Sequence, residues 1–334
     1  IRPHTSKLMM ATMIEAHPGT RPVIVRLRNF VGDVVLGIPA LRLLERHGYQ
    51  PWLVGKGWAP GLLAAEGWRV EVRPKKLLDR VAQLRALRRE ALQVDPDFDR
   101  RPNALALPWA FSAALDMRLA GLRAVGYAHE SRGWLLHRSH PMPPPMHALM
   151  NYWQLACLFL GLDAGKEPPP AAIELKVSEA QRAAADAVLR AAGVREGYVL
   201  ICPFSGGTFE QFDKTWPHFP AFLDLLATRG RDIVVCPGPG EETEAAQRYA
   251  KARRLEGVKL GTYNALLQRA ALVISNDTGP AHMAAAVGAP VLSVLGPTLP
   301  ELWAPWGPTV EVMRKNPGWL SPEDVLERAD RLLA

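Results

Sequence analysis

The chain has 334 residues, 48% of them hydrophobic and 22% charged, a usage that excludes disordered and fibrous classes. That length is more than one ordinary α/β core holds and fits two. The 40 Lys and Arg exceed 33 acids for a net charge of +7. No basic run, aromatic RNA-binding signature or zinc-finger spacing accompanies that excess, so a nucleic-acid partner is excluded in favour of a charged small molecule or lipid headgroup.

Residues 1–20 mix Pro, His and Met without a period and are expected to form a poorly ordered extension. From Pro22 an apolar strand (Val23, Ile24, Val25, Leu27) meets a turn at Gly32, and a periodic helix follows from about Val34 to Glu45. Strands near 51–55, 69–73, 103–107 and 123–127 then alternate with helices at 58–66, 77–91 and 109–121. That alternation predicts a parallel, doubly wound sheet. The stretch from His137 to Met146 carries Pro141, Pro143, Pro144 and Pro145 and is expected to hold no regular element. A helix over 148–162 leads to the linker 166–171, whose three consecutive prolines make it extended.

The alternation resumes with helix 178–193, strand 197–201, helix 218–229, strand 231–236 and helices 241–253 and 263–270. Strand 271–275, helix 280–287, strand 289–295 and a closing helix from Pro322 to Leu333 complete it. The expected organisation is a Rossmann-like domain at 21–165 and another at 172–334. Two such domains face each other across a cleft at the carboxyl ends of their strands. Cys157, Cys202 and Cys236 lie in apolar stretches without CxxC spacing and read as buried hydrophobes in a reducing compartment. No window has the roughly 18 apolar residues of a membrane span, and no signal peptide is read at the start. A cytoplasmic protein is expected, with peripheral attachment to the inner face of the membrane allowed.

No GxGxxG follows the first strand, and no phosphate loop of the GxxxxGK[ST] type occurs. Asp33 at the first strand-to-helix turn reads equally as an N-cap and as a carboxylate presented as general base. In Ser275-Asn276-Asp277-Thr278-Gly279-Pro280-Ala281-His282, Pro280 suits the first helical position and makes Gly279 the expected N-cap. The early backbone N–H groups of that helix suit a diphosphate, with His282 in the first turn to add a hydrogen bond. The alternative is a structural turn in which Asp277 caps and His282 packs. The loop from Pro203 to Thr208 and Lys214 offers close backbone approach and a compact positive charge, or is a plain surface loop. Glu241 and Glu242 after the strand ending at Cys236 suit ribose hydroxyls or the helix dipole equally. Asp95, Asp97 and Asp99 imitate a metal site but sit beside Pro96 and Arg100-Arg101, so no essential metal or cofactor is expected.

Together these clusters resemble glycosyltransferase family 9, the heptosyltransferases of the lipopolysaccharide inner core. The resemblance rests on Arg26-Leu27-Arg28 through Gly32-Asp33-Val34, Ile38-Pro39-Ala40-Leu41, Lys214-Thr215-Trp216-Pro217, Asn276 through Ala286, and Gly296-Pro297-Thr298. Ala104 through Pro108, Gly126-Tyr127 and Arg132 through Leu136 look like the second-heptose enzymes. The loop from Ser205 to Asp213 and the pair Tyr263-Asn264 depart from the family pattern where base and sugar should sit.

The resemblance implies a GT-B fold and inverting, metal-independent transfer of a heptose from ADP-heptose to Kdo-lipid A or a heptosylated core. It implies Asp33 as base, with Lys214, Asp277, Thr278, Gly279, His282, Thr208 and Glu242 as donor contacts. Arg26, Arg28 and Arg132 are expected to meet the anionic glycolipid acceptor, and a monomer is expected. Two other readings stay open: a GT-B transferase with another sugar donor or a protein acceptor, and a catalytically silent sugar-nucleotide-binding protein.

Overall fold

The computed structural model describes residues 21–206, 208–209 and 211–334; the expected extension at 1–20 lies outside them, as does the side chain of Thr208. In chain order the first half contains β1 (Arg21–Arg26), α1 (Val31–Arg46), β2 (Tyr49–Gly55), α2 (Ala59–Leu62), β3 (Arg69–Val72) and α3 (Leu77–Val94). It continues with β4 (Ala104–Ala106), α4 (Phe111–Leu119), β5 (Ala124–Ala128), β6 (Arg138–Pro141) and α5 (Ala148–Leu160). The second half begins with α6 (Glu179–Ala191), β7 (Val199–Cys202), the hairpin β8 (Thr208–Phe209) and β9 (Phe212–Asp213), α7 (Phe219–Ala227), β10 (Ile233–Val235) and α8 (Glu242–Arg248). It ends with β11 (Arg253–Arg254), α9 (Leu260–Arg269), β12 (Leu272–Ser275), α10 (Gly279–Ala286), β13 (Val291–Leu295), α11 (Pro300–Trp303), β14 (Val310–Arg314) and α12 (Pro322–Leu333).

Two six-stranded sheets result, ordered β3-β2-β1-β4-β5-β6 and β11-β10-β7-β12-β13-β14, and every pairing within them is parallel. The central strands β1, β7, β12 and β13 are buried along almost their whole length, because helices cover both faces of such sheets. In each sheet the order reverses beside the first strand of its half, β1 and β7, which is where doubly wound folds open a crevice.

Several local expectations are corrected. The Pro- and His-rich stretch does hold a strand: β6 pairs with β5 at the sheet edge, where Pro141 as terminal residue disturbs no inner ladder. The helix expected at 58–66 shortens to α2, and the one at 241–253 stops at Arg248 so that Arg253–Arg254 can pair with β10. β14 and the small hairpin were not legible as periodic runs. α5 ends at Leu160 because Gly161 takes a left-handed cap at φ 74°. α6 starts on a capping box made by Ser178 and Gln181, and Ser321 caps α12 through the N–H of Asp324.

Each sheet packs an apolar cluster of its own, around Leu84, Phe98 and Met117 in the first half and around Trp216, Phe219 and Phe222 in the second. A third cluster spans both halves, from Val23 and Leu36 through Tyr152 and Trp153 to Met283 and Val291. Polar ties reinforce it: Arg42 pairs with buried Glu66, whose other oxygen accepts the N–H of Lys176, and Asn264 donates to the carbonyl of Leu62. The 166–171 stretch is itself held, since the indole of Trp153 donates to the carbonyl of Glu167 and that of Trp306 to Pro170.

Candidate functional site

The amino ends of α1 and α10 meet across the crevice between the sheets. A Cβ on Gly32 would lie 2.6 Å from His282 Cδ2, and one on Gly279 would lie 3.0 Å from Val31 Cβ. Only glycine allows this approach, which explains both glycines better than turn geometry does. Beside the contact opens a cleft of about 470 Å³, lined on the first half by Arg28, Phe30 and Asp33. Gly206, Phe209, Lys214, Asp277, Thr278, Gly279, His282 and Trp303 line it from the second half.

Asp33 is not the helix cap. α1 begins at Val31 with Phe30 as an extended N-cap that makes no side-chain bond, so Asp33 is the third helical residue. Its carboxylate is held by side chains instead. Tyr152 donates its hydroxyl to Oδ1 at 2.6 Å, and Arg28 Nε stands 3.5 Å from Oδ2. Burial first, and the neighbouring carboxylate second, push the Tyr152 phenol well above its ordinary pKa, so it stays a donor. Arg28 is steadied from behind by the ring of Trp109, 4.8 Å from its guanidinium carbon.

On the second half, Lys214 Nζ lies 3.2 Å from Asp277 Oδ2, and the Thr298 hydroxyl donates to the same oxygen at 2.7 Å. Arg314, on the strand missed from sequence, holds the 296–298 turn by donating to the carbonyls of Gly296 and Thr298. Buried Asn276 accepts the N–H of Trp216 and donates to the carbonyl of Pro203, which ties the lysine-bearing loop to the end of β12. α10 starts at Gly279 with Thr278 as its N-cap, one residue earlier than expected, because Thr278 is the last residue in extended conformation. Thr278 makes no side-chain cap bond, so the first-turn N–H groups face the cleft uncapped by a side chain. His282 is buried, and among the described residues its Nδ1 has no hydrogen-bond partner. Burial outweighs the pull of Asp277 and Asp33 and lowers its pKa to about 4, so the imidazole is neutral at pH 7.

Asp33, Arg28, Lys214, Asp277, Thr278, Gly279 and His282 therefore share one cleft, and β8 brings the backbone of Thr208 beside it. Three expected residues stand elsewhere. Arg26 is buried under the first sheet's edge and donates to the carbonyls of Leu27 and Val54, with desolvation pulling its pKa down to about 9. Arg132 is fully buried and clamps the carbonyls of Tyr127, Pro108 and Ala110. Both arginines brace loops because backbone carbonyls at the sheet's carboxyl edge need donors, and neither offers its charge to an acceptor here. Glu242 lies outside the cleft lining and accepts the N–H of Gly240. The acidic triplet is occupied by arginines: Asp95 by Arg101, Asp97 by Arg100 and Asp99 by Arg88. Tyr152, Thr298 and Arg314 were missed. Thr298 stood in a quoted motif, while Tyr152 and Arg314 carried no local signal.

Among the curated relatives, lipopolysaccharide heptosyltransferase 3 of Escherichia coli is 33% identical over 169 residues, 42% of this chain and 48% of that protein. The chain thus aligns with about half the length of such relatives. Lipopolysaccharide heptosyltransferase 2 of Salmonella typhimurium is 24% identical over 311 residues, 87% of each chain. Among solved structures, E. coli ADP-heptose LPS heptosyltransferase II superposes with a TM-score of 0.76 at 23% identity, covering 93% of this chain and 98% of that one. The E. coli heptosyltransferase WaaC with ADP gives 0.68 at 22% identity, covering 93% and 99%. These likenesses show the α/β fold of two facing Rossmann-like halves that the sequence led us to expect. The profile of glycosyltransferase family 9 (heptosyltransferase) matches residues 98–329, and the chain belongs to that family.

Proposed function

We propose that this chain is an inverting glycosyltransferase that moves a heptose from ADP-heptose to an inner-core lipopolysaccharide acceptor, with Asp33 as general base. The observation that carries the reading is one cleft holding a buried carboxylate on one wall and a lysine with an uncapped helix end on the other. A base and a seat for a leaving diphosphate are what such a displacement needs.

On this reading the donor lies on the second half. Its diphosphate meets the first-turn N–H groups of α10 and the ammonium of Lys214. Asp277 and Thr298 keep Lys214 in place, and neutral His282 adds a ring N–H without placing a second full charge beside Lys214. The acceptor hydroxyl approaches from the first half. Asp33 takes its proton as the oxygen attacks the anomeric carbon on the face opposite the diphosphate, and the configuration inverts. Tyr152 and Arg28 hold the carboxylate so that the reacting oxygen stays aimed into the cleft. The charge that develops on ADP is stabilised by protein groups, with no metal ion in the scheme.

The test is Asp33→Asn. Asn can still accept the Tyr152 hydroxyl, so folding should persist with a loss of about 1–2 kcal/mol from the Arg28 pair and the helix dipole. Donor affinity should hold while kcat falls by about two to four orders of magnitude. Normal turnover by a normally folded variant would remove Asp33 as the base.

A further inference from the structure

α5 begins on a residue that does more than a helix start requires. His147 is its N-cap, and the ring Nδ1 accepts the N–H of Leu149 at 3.3 Å. Ser, Thr, Asp and Asn serve that end of a helix better than an imidazole does, so capping alone does not call for histidine. The second ring nitrogen accounts for it. Nε2 lies 2.9 Å from the carbonyl oxygen of Ala304, 157 residues away on the second half. A carbonyl only accepts, so Nε2 carries the proton and Nδ1 keeps the lone pair that the cap uses. The neutral ring makes both bonds at once, and desolvation holds it neutral by lowering the pKa of His147 below its ordinary value.

Each partner leads to the cleft. Ala304 follows α11, whose Trp303 lines the cleft, and stands just before Trp306, whose ring centre is 5.0 Å from that of His147. Trp306 is fixed in turn by its indole N–H on the carbonyl of Pro170. In the other direction α5 carries Tyr152, whose hydroxyl holds Asp33 Oδ1 at 2.6 Å. A shift of the first turn of a hydrogen-bonded helix is felt along its length, so the place of His147 sets the place of that hydroxyl. The polar ties at Glu66 and Asn264 join the second half to α2 and the turn after it. The tie at His147 instead reaches the helix that holds the carboxylate.

We infer that His147 is a positioning residue. By joining α5 to the 304–306 segment, it sets the Tyr152–Asp33 pair against Lys214 and the first turn of α10. Its effect on chemistry rests on the transferase reading, whereas the joint between the halves stands without it. His147 is outside the cleft lining. Its loss should therefore misplace the base and leave the donor's own contacts intact.

Two substitutions separate the joint from the cap. His147→Asn keeps a side-chain oxygen for the N–H of Leu149 but is too short to reach Ala304, and His147→Ala loses both bonds. His147→Asn should melt within a few degrees of wild type, bind ADP with unchanged affinity in calorimetry and keep the donor KM. Its kcat should fall about ten- to a hundredfold, the cost of moving a catalytic group by up to about 1 Å. His147→Ala should lose as much kcat and also melt lower. Full kcat in His147→Asn with loss only in His147→Ala would overturn the inference and leave a plain helix cap. A raised donor KM at full kcat would overturn it as well, since His147 would then serve binding. Amide hydrogen exchange without ligand reads the joint directly: His147→Asn should speed exchange at Trp303 and Ala304 about fivefold, the worth of one hydrogen bond. Unchanged exchange there would refute the joint. Wild-type protein that transfers no heptose would sink the functional reading and the positioning role with it, while faster exchange in His147→Asn would still keep the joint.

Discussion

Acid should destabilise this fold through one residue more than through any other single histidine. Burial pulls the His282 imidazole from an ordinary pKa of 6.5 down to about 4 in the folded protein, against the opposing charges of Asp277 and Asp33. Between those two values the unfolded chain binds a proton that the folded one refuses. The contribution to stability is therefore complete above pH 6.5 and is lost progressively as pH falls toward 4. With these two pKa values, the loss between pH 7 and pH 5 comes to about 2 kcal/mol. His282→Gln removes the titration while keeping a polar side chain of similar reach. Urea unfolding at both pH values should show wild type losing about 2 kcal/mol more than the variant on acidification. His137, His140 and His147 are also lowered, in each case chiefly by desolvation, and they cancel in that difference because both proteins carry them. Equal losses in the two proteins would mean that His282 is not held neutral in the folded state, and its packing against Gly32 would have to be given up.

Three further substitutions probe the cleft. Lys214→Ala should weaken nucleoside diphosphate binding in calorimetry and slow turnover by roughly 2–4 kcal/mol in total; unchanged affinity and rate would return Lys214 to a surface-loop role. Tyr152→Phe removes a charge-assisted hydrogen bond from buried Asp33 and should cost about 1.5–3 kcal/mol of that carboxylate's stabilisation. Turnover should fall while donor affinity is unchanged, and unchanged turnover would show that the phenol does not position the base. Gly32→Ala puts a methyl 2.6 Å from His282 Cδ2, about 1 Å inside normal contact. Overpacking of about 1–3 kcal/mol should exceed the helix-propensity gain of about 1 kcal/mol and lower donor affinity. A fully active, normally stable Gly32→Ala enzyme would show that α1 and α10 do not meet this closely at work.

Strand and helix alternation was legible because side-chain periods of 2 and 3.6 follow from backbone geometry within a few residues. The same local logic exposed the Asp277–His282 stretch, where a buried strand, a small-residue turn and Pro280 adjoin in sequence. It failed where the deciding contact is remote. Arg26 and Arg132 carry charge and read as surface ligands, yet packing buries them against carbonyls that lie as far away as Val54 and Pro108. Asp33 looked like a cap because the helical period starts after it; the backbone turns helical earlier, at a residue with no capping side chain to announce it. β6 and β14 form because a neighbouring strand offers free backbone groups, which no pattern within either segment records. The sequence by itself determined the two doubly wound halves and one end of the cleft. Only the tertiary structure decided that Tyr152, 119 residues from Asp33, would hold that carboxylate, because such an encounter is set by how α5 packs on α1 and not by either segment alone.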